Sequence, residues 1–99
     1  MRVISRKTLG AFWARSDRWD AEQPLRAWYH EAETAAWRGP HDVKARYPSA
    51  SILKGGRVVF NIGGNKYRLI VAVHYGVGIV YIRFVGTHAE YDRVDAEKV

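Results

Sequence analysis

Lys66, Arg68 and Arg83 are the side chains whose type and spacing most readily do chemistry in this sequence. Phosphate oxygens are bound by ammonium and guanidinium donors, and a guanidinium can grip a phosphate with two hydrogen bonds at once. All three fall in a stretch with no competing acid. The carboxylates stand at 17, 20, 22, 31, 33 and 42, and then at 90, 92, 95 and 97. Between Val43 and Ala89 the only charged residues are Lys44, Arg46, Lys54, Arg57, Lys66, Arg68 and Arg83. The chain carries a net charge of +6. Such a field attracts polyanions. Charge alone fits equally well a solvated basic surface or one that meets an acidic protein.

His88 is the candidate for proton transfer, since imidazole titrates near neutrality. Tyr91 follows at the spacing of one helical face. A capping or packing role is the plainer reading of this histidine. His30, His41 and His74 show no ligand spacing with one another or with His88, so neither a metal nor a cofactor is expected. Gly63-Gly64-Asn65 is glycine-rich, but no helix follows it to offer an N-terminus to phosphate, and a hairpin turn fits better. No Ser-His-Asp or Cys-His arrangement can be argued from spacing.

The elements that must position these groups change character along the chain. Arg2 to Ser5 reads as a short strand. Ser5 or Thr8 can cap a short helix bearing Leu9, Phe12 and Trp13. Asp20 can cap a second helix with Gln23 in capping-box position, and Leu25, Trp28, Tyr29, Ala32 and Ala36 make its apolar face. Gly39-Pro40 ends it, and one further helical turn fits before Pro48. Thereafter Arg57–Ile62, Lys66–Tyr75 and Ile79–Val85 read as strands, and Thr87 can cap a short C-terminal helix. Helices followed by strands argue for an α+β fold, with N-terminal helices packed on one face of an antiparallel sheet.

Alternation then predicts which side chains share a face. A two-residue Gly63-Gly64 turn pairs Asn61 with Lys66 and Val59 with Arg68. Arg57, Asn61, Lys66 and Arg68 fall on one face, and Val58, Phe60, Tyr67, Leu69, Val71 and Val73 on the other. In the third strand Val80, Ile82 and Phe84 match the apolar face, leaving Tyr81 and Arg83 with the cations.

The length of 99 residues suits one domain, residues 1–99. Cysteine is absent, which removes a disulfide framework. No apolar run approaches the roughly 18 residues of a membrane span, and no apolar segment follows the basic start, so a cytoplasmic location is expected.

Two segments carry a resemblance. Phe60-Asn61-Ile62-Gly63-Gly64-Asn65-Lys66-Tyr67-Arg68-Leu69 and Arg83-Phe84-Val85-Gly86-Thr87-His88-Ala89-Glu90-Tyr91-Asp92 resemble the signature segments of HigB-type toxins, of the RelE/ParE superfamily of type II toxin–antitoxin systems. The resemblance implies a RelE-like fold and a ribosome-dependent mRNA endoribonuclease, or mRNA interferase. It implies 2′-hydroxyl attack giving a 2′,3′-cyclic phosphate. It also implies a HigA-type helix-turn-helix antitoxin as partner, with the ribosome and mRNA, and operator DNA reached only through the antitoxin. On this reading Arg68 meets transition-state charge, assisted by Lys66 and Arg83. His88 is the general base or acid, and Tyr91 a second proton-transfer group or a stacking platform. Arg57, Asn61, Arg83, Lys54, Tyr81 and Lys44 would contact RNA. A non-catalytic RNA- or ribosome-binding module, a gyrase-directed ParE-like toxin and a plain interaction domain for an acidic partner are the competing expectations.

Overall fold

β4 (Tyr67–His74) forms the middle of a five-stranded sheet in the computed structural model, which describes Met1–Val99. Every β4 residue from Tyr67 to Val73 is buried. On one side β4 pairs antiparallel with β3 (Arg57–Ile62), which carries the two-residue β2 (Ser51–Ile52) at its edge. On the other it pairs antiparallel with β5 (Ile79–Thr87). β1 (Arg2–Ile4) adds to β5 in parallel, so the sheet is mixed rather than purely antiparallel. A parallel neighbour requires a long crossover, and here it is everything between the first and last strands.

The helices are α1 (Arg6–Trp13), α2 (Glu22–Thr34), α3 (Pro40–Arg46) and α4 (His88–Tyr91). Leu9 and Phe12 of α1 and Leu25, Trp28 and Ala32 of α2 are buried against Val58, Phe60, Ile62, Tyr67, Leu69, Val71 and Val73. This is the apolar face expected from alternation. Aromatic edges lock it: the ring of Phe12 meets that of Tyr67 at 5.4 Å, and Trp28 meets Phe60 at 5.4 Å. No helix is long and apolar enough to cross a membrane.

Three expectations need correction. The β3–β4 connection is not a two-residue turn: Ile62 pairs with Tyr67 and Asn61 with Arg68, leaving Gly63 to Lys66 as a four-residue loop. Gly63 and Gly64 both take positive φ (62° and 70°), which carries the chain around without pairing Asn65. The register moves by two residues, so the faces of the strand residues survive, but Lys66 leaves the strand. Asp20 does not cap α2. It lies in a 3₁₀ turn, Trp19–Ala21, and its carboxylate is used elsewhere. Phe84 does not face the helices. The β4–β5 ladder slips between Ile70 and Val71, where Arg83 is the extra residue, so Phe84 pairs with Ile70 while Val85 turns into the core.

That bulge makes Gly86 obligatory. A Cβ there would stand 2.5 Å from a ring carbon of Phe84 and 3.2 Å from Cβ of Glu90. Gly86→Ala is expected to cost about 1–3 kcal/mol through overpacking, read as a lower urea midpoint with unchanged m. Gly76→Ala, where a Cβ meets nothing within 4 Å, is expected to stay within about 0.5 kcal/mol of wild type.

Candidate nucleic-acid interface and cleavage site

The sheet face turned away from the helices gathers cations without counter-ions. Arg57 pairs with Ala72, Asn61 with Arg68, and Arg68 with Gly86, so their side chains share this face. Tyr81 joins them opposite Ala72, with the guanidinium of Arg83 5.3 Å from its ring centre. Several cations elsewhere are neutralised. Arg18 meets Glu90, Arg26 meets Glu22, Arg38 meets Asp42, Arg46 meets Glu31 and Lys66 meets Asp20. Arg57, Arg68 and Arg83 have no carboxylate within salt-bridge distance.

Arg68 is the most constrained of the three. The residue is 9% exposed, yet every hydrogen bond it makes goes to a neutral acceptor. Nη1 donates to the carbonyls of Asn65 (3.0 Å) and Tyr67 (3.3 Å), and Nη2 donates to Oδ1 of Asn65 (3.1 Å). The four-residue loop supplies these acceptors by bringing Asn65 back over the strand end. The guanidinium also lies 5.8 Å from the centre of the Tyr91 ring. A buried cation held only by dipoles keeps its charge available to an incoming anion.

α4 carries His88 and Tyr91, the two residues expected to transfer protons. Its start follows from the sequence, because Thr87 Oγ1 accepts from the Glu90 amide and the Glu90 carboxylate accepts from the Thr87 amide, a complete capping box. The His88 amide donates to the Lys66 carbonyl, which ties α4 to the β3–β4 loop. His88 is half exposed, and its Nδ1 stands 3.3 Å from Oδ2 of Asp92 one turn on. Asp92 was not among the expected site residues. Its signal was present as the i, i+4 spacing from His88 on a capped helix.

The expected residues do not all converge. Arg68 and Tyr91 are brought together at one end of the sheet, with His88 on the same helix as Tyr91 and with Asn61 and Arg57 along the same face as Arg68. Lys66 is beside them in backbone only. Its ammonium is held by Asp20, to which the Tyr67 hydroxyl also donates. Lys44 is spent on the chain itself, donating to the carbonyls of Pro48 (2.6 Å) and Ala50 (2.8 Å). Lys54 lies in an exposed 3₁₀ turn just before β3. No three or more His, Asp and Glu side chains converge as a metal-binding group. A cavity of about 330 Å³ between α1 and α2, lined by Arg6, Trp13, Arg26 and Tyr29 among others, includes none of the Arg68 group. The cationic face is open, as suits a polymer rather than an enclosed small molecule.

Residues 21–94 match the family model of HigB toxins, described as the RelE-like toxic component of a toxin–antitoxin system. The chain belongs to the HigB toxin family. Curated relatives include the mRNA interferase toxin HigB of Escherichia coli (strain K12), 40% identical over 58 residues. The mRNA interferases HigB of Escherichia coli O157:H7 and Shigella flexneri match at the same identity. In each case the alignment covers 57% of this chain and 56% of the relative, so it spans about half the length of the proteins it matches. The HigB family segment takes in Arg68, His88, Tyr91 and Asp92. It begins after Arg18 and Asp20, the residues that grip α4 and the β3–β4 loop.

Two of the carboxylates that hold the site are held below the ordinary carboxylate range. Asp20 is lowered first by its bond from Lys66 and then by that from Tyr67, and Glu90 first by the Thr87 amide and then by Arg18. A depressed folded-state pKa contributes stability that is present above the unfolded value, about 4, and lost as pH falls through the folded one. The melting temperature is therefore expected to fall as pH drops below about 4. In Asp20→Asn and Glu90→Gln that acid slope should be shallower than in wild type, measured by thermal melts across the range.

Proposed function

We propose that this protein is an mRNA interferase, an endoribonuclease that cuts ribosome-bound mRNA and is neutralised by a HigA-type antitoxin. The observation that carries the reading is the counter-ion-free guanidinium of Arg68 beside Tyr91 of α4, the helix that also carries the His88–Asp92 pair. The printed names of the curated relatives supply the reaction class. The absence of acids along the strand face supports docking among RNA phosphates.

The chemistry is metal-independent transesterification. The ribose 2′-oxygen attacks the adjacent phosphorus, and the bond from phosphorus to the 5′-oxygen breaks. The products are a 2′,3′-cyclic phosphate and a free 5′-hydroxyl. One group must take the 2′-proton and another must give a proton to the leaving oxygen. His88, with the Asp92 carboxylate 3.3 Å from its Nδ1, offers its imidazole for one of these transfers. Tyr91 either completes the other or stacks on a base. Arg68 meets the charge that accumulates on the phosphorane oxygens, where preorganised donors act most strongly. Arg57, Arg83, Asn61 and Tyr81 extend along the face as the track for the flanking strand. Lys66 serves by holding the loop through Asp20 rather than by touching phosphate.

Induction without an antitoxin should stop growth and leave mRNA cut within reading frames, as mapped by primer extension. Arg68→Ala should lower cleavage by about 10²–10³-fold, as losing one transition-state donor does. Full toxicity in soluble Arg68→Ala/His88→Ala protein would overturn the proposal. Intact transcripts on stalled ribosomes would point to a binding module, and DNA breaks with intact mRNA to a gyrase-directed toxin.

Binding of the inactive His88→Ala protein to single-stranded RNA should weaken steeply with salt. Removing Arg57 or Arg83 should each reduce the slope of log K against log[salt] by about 0.7, the value for one phosphate contact. Unchanged slopes would take those two residues off the RNA track.

A further inference from the structure

The chain has two buried charged residues, Arg18 and Arg68, and both bear on α4. Arg68 lies against Tyr91. Arg18, in the connection between α1 and α2, donates through Nη2 to Oε2 of Glu90 at 2.7 Å. Glu90 and Tyr91 are consecutive, so the single turn of α4 is gripped by one guanidinium at each of two neighbouring positions. We infer that Arg18 is a positioning residue for the cleavage site, holding α4 so that His88 and Tyr91 stand correctly against Arg68.

The case rests on how little else holds α4. It has four residues, none of them buried, so apolar packing does not fix its direction. The capping box fixes where the helix begins but not the angle at which it leaves the sheet. β1 pairs only with Ile79, Val80 and Tyr81, so the end of β5 that leads into α4 has no strand beyond it. The tie across that gap is Arg18. Its side chain is 10% exposed, with the guanidinium 4.6 Å from the centre of the Phe12 ring, which stacks it into the core before it reaches Glu90. Asp17 lies 3.9 Å from Nε on the exposed side, too long for a hydrogen bond, and Nε is buried without a partner. An arginine buried with an unpaired Nε is a poor choice for stability alone. A similar-sized apolar residue at such a place is often neutral or stabilising. What the arginine adds is a directed bond to the Glu90 carboxylate, 72 residues away in the chain.

Asp20 completes the arrangement two residues on. It holds Lys66 and Tyr67, and the Lys66 carbonyl accepts the His88 amide. The segment from Arg18 to Asp20 therefore holds α4 from both ends, through Glu90 and through the β3–β4 loop.

The inference rests on the proposed RNA cleavage for its catalytic meaning, and the test separates the two. Arg18→Met, Arg18→Lys and Glu90→Gln are compared with wild type in the full chain. Glutamine retains the capping box while removing the charge that Arg18 grips. Backbone ¹⁵N relaxation of residues 88–91 should show order parameters falling from about 0.85 towards about 0.6 in Arg18→Met, with β4 unchanged. The melting temperature of Arg18→Met should stay within a few degrees of wild type. Its cleavage rate at saturating RNA should fall about tenfold or more, with RNA affinity within about threefold. Arg18→Lys should recover part of the rate, and Arg18→Met/Glu90→Gln should be no slower than the slower single variant. Unchanged order parameters in both Arg18→Met and Glu90→Gln would overturn the positioning role. So would a cleavage rate within twofold of wild type in either variant, or a loss confined to RNA affinity. If Arg18→Met does not fold, Glu90→Gln and Arg18→Lys carry the same readouts. A loosened α4 in a protein whose wild type cuts no RNA would leave the structural tie standing and remove the cleavage reading instead.

Discussion

A positive charge is kept at the end of the central strand with no negative charge against it, and much of the structure follows from that. Arg68 is shielded from bulk water, where a charge acts more strongly on any neighbouring anion, and a carboxylate partner would offset that charge. The compromise is a ring of neutral oxygens from Asn65 and Tyr67 and the face of Tyr91. That arrangement demands a loop long enough to fold Asn65 back, a glycine opposite Arg68 in β5, and a helix beginning immediately afterwards. Gly63, Gly64, Gly86 and the capping box at Thr87 are the residues through which each demand is met.

The two layers of the molecule are held by different physics. The helices meet the sheet through a dry core of aromatic and branched side chains, which is insensitive to pH and salt. The site end is joined to the helical layer by charge-assisted hydrogen bonds, from Arg18 to Glu90 and from Lys66 and Tyr67 to Asp20. Directed bonds of this kind define angles in a way that apolar packing over a four-residue helix cannot. The carboxylates missing from the strand face are not missing from the protein. They stand where they neutralise or orient cations, and the face is left positive.

Alternation made the core face of β3 and β4 legible, because half-buried strands repeat every two residues. The bounds of β3 and the cap of α4 were equally readable, since both depend on neighbours in the chain. The hairpin register was misjudged by two residues, an even number, so Arg57, Asn61 and Arg68 kept their side. Phe84 was misplaced because strict alternation carries it onto the apolar face, and the bulge at Arg83 reverses the faces beyond it. Asp20 looked like a helix cap because a local rule fits it, but a longer-range partner won. Its contacts lie 46 and 47 residues away, and that of Arg18 lies 72 away. Pattern rules with a reach of four residues do not see such pairs. Lys66 was placed beside Arg68 and Arg83 by strand pattern and resemblance, and its ion pair with Asp20 lay beyond the reach of that pattern. Asp92 was within reach of the rules, at helical spacing from His88.

The parallel pairing of β1 with β5 carries a consequence for synthesis. A chain emerging from a ribosome presents residues 2–4 well before their partners at 79–81. The edge of β1 waits unpaired until residues 79–81 follow, and non-local pairings of this kind close late. Arg18 and Asp20 likewise wait for Glu90 and Lys66. A nascent chain therefore has the cations of the strand face before it has the geometry that would arm them. The same long reach that hides these pairs from local pattern delays assembly of the site end until Glu90 has been made.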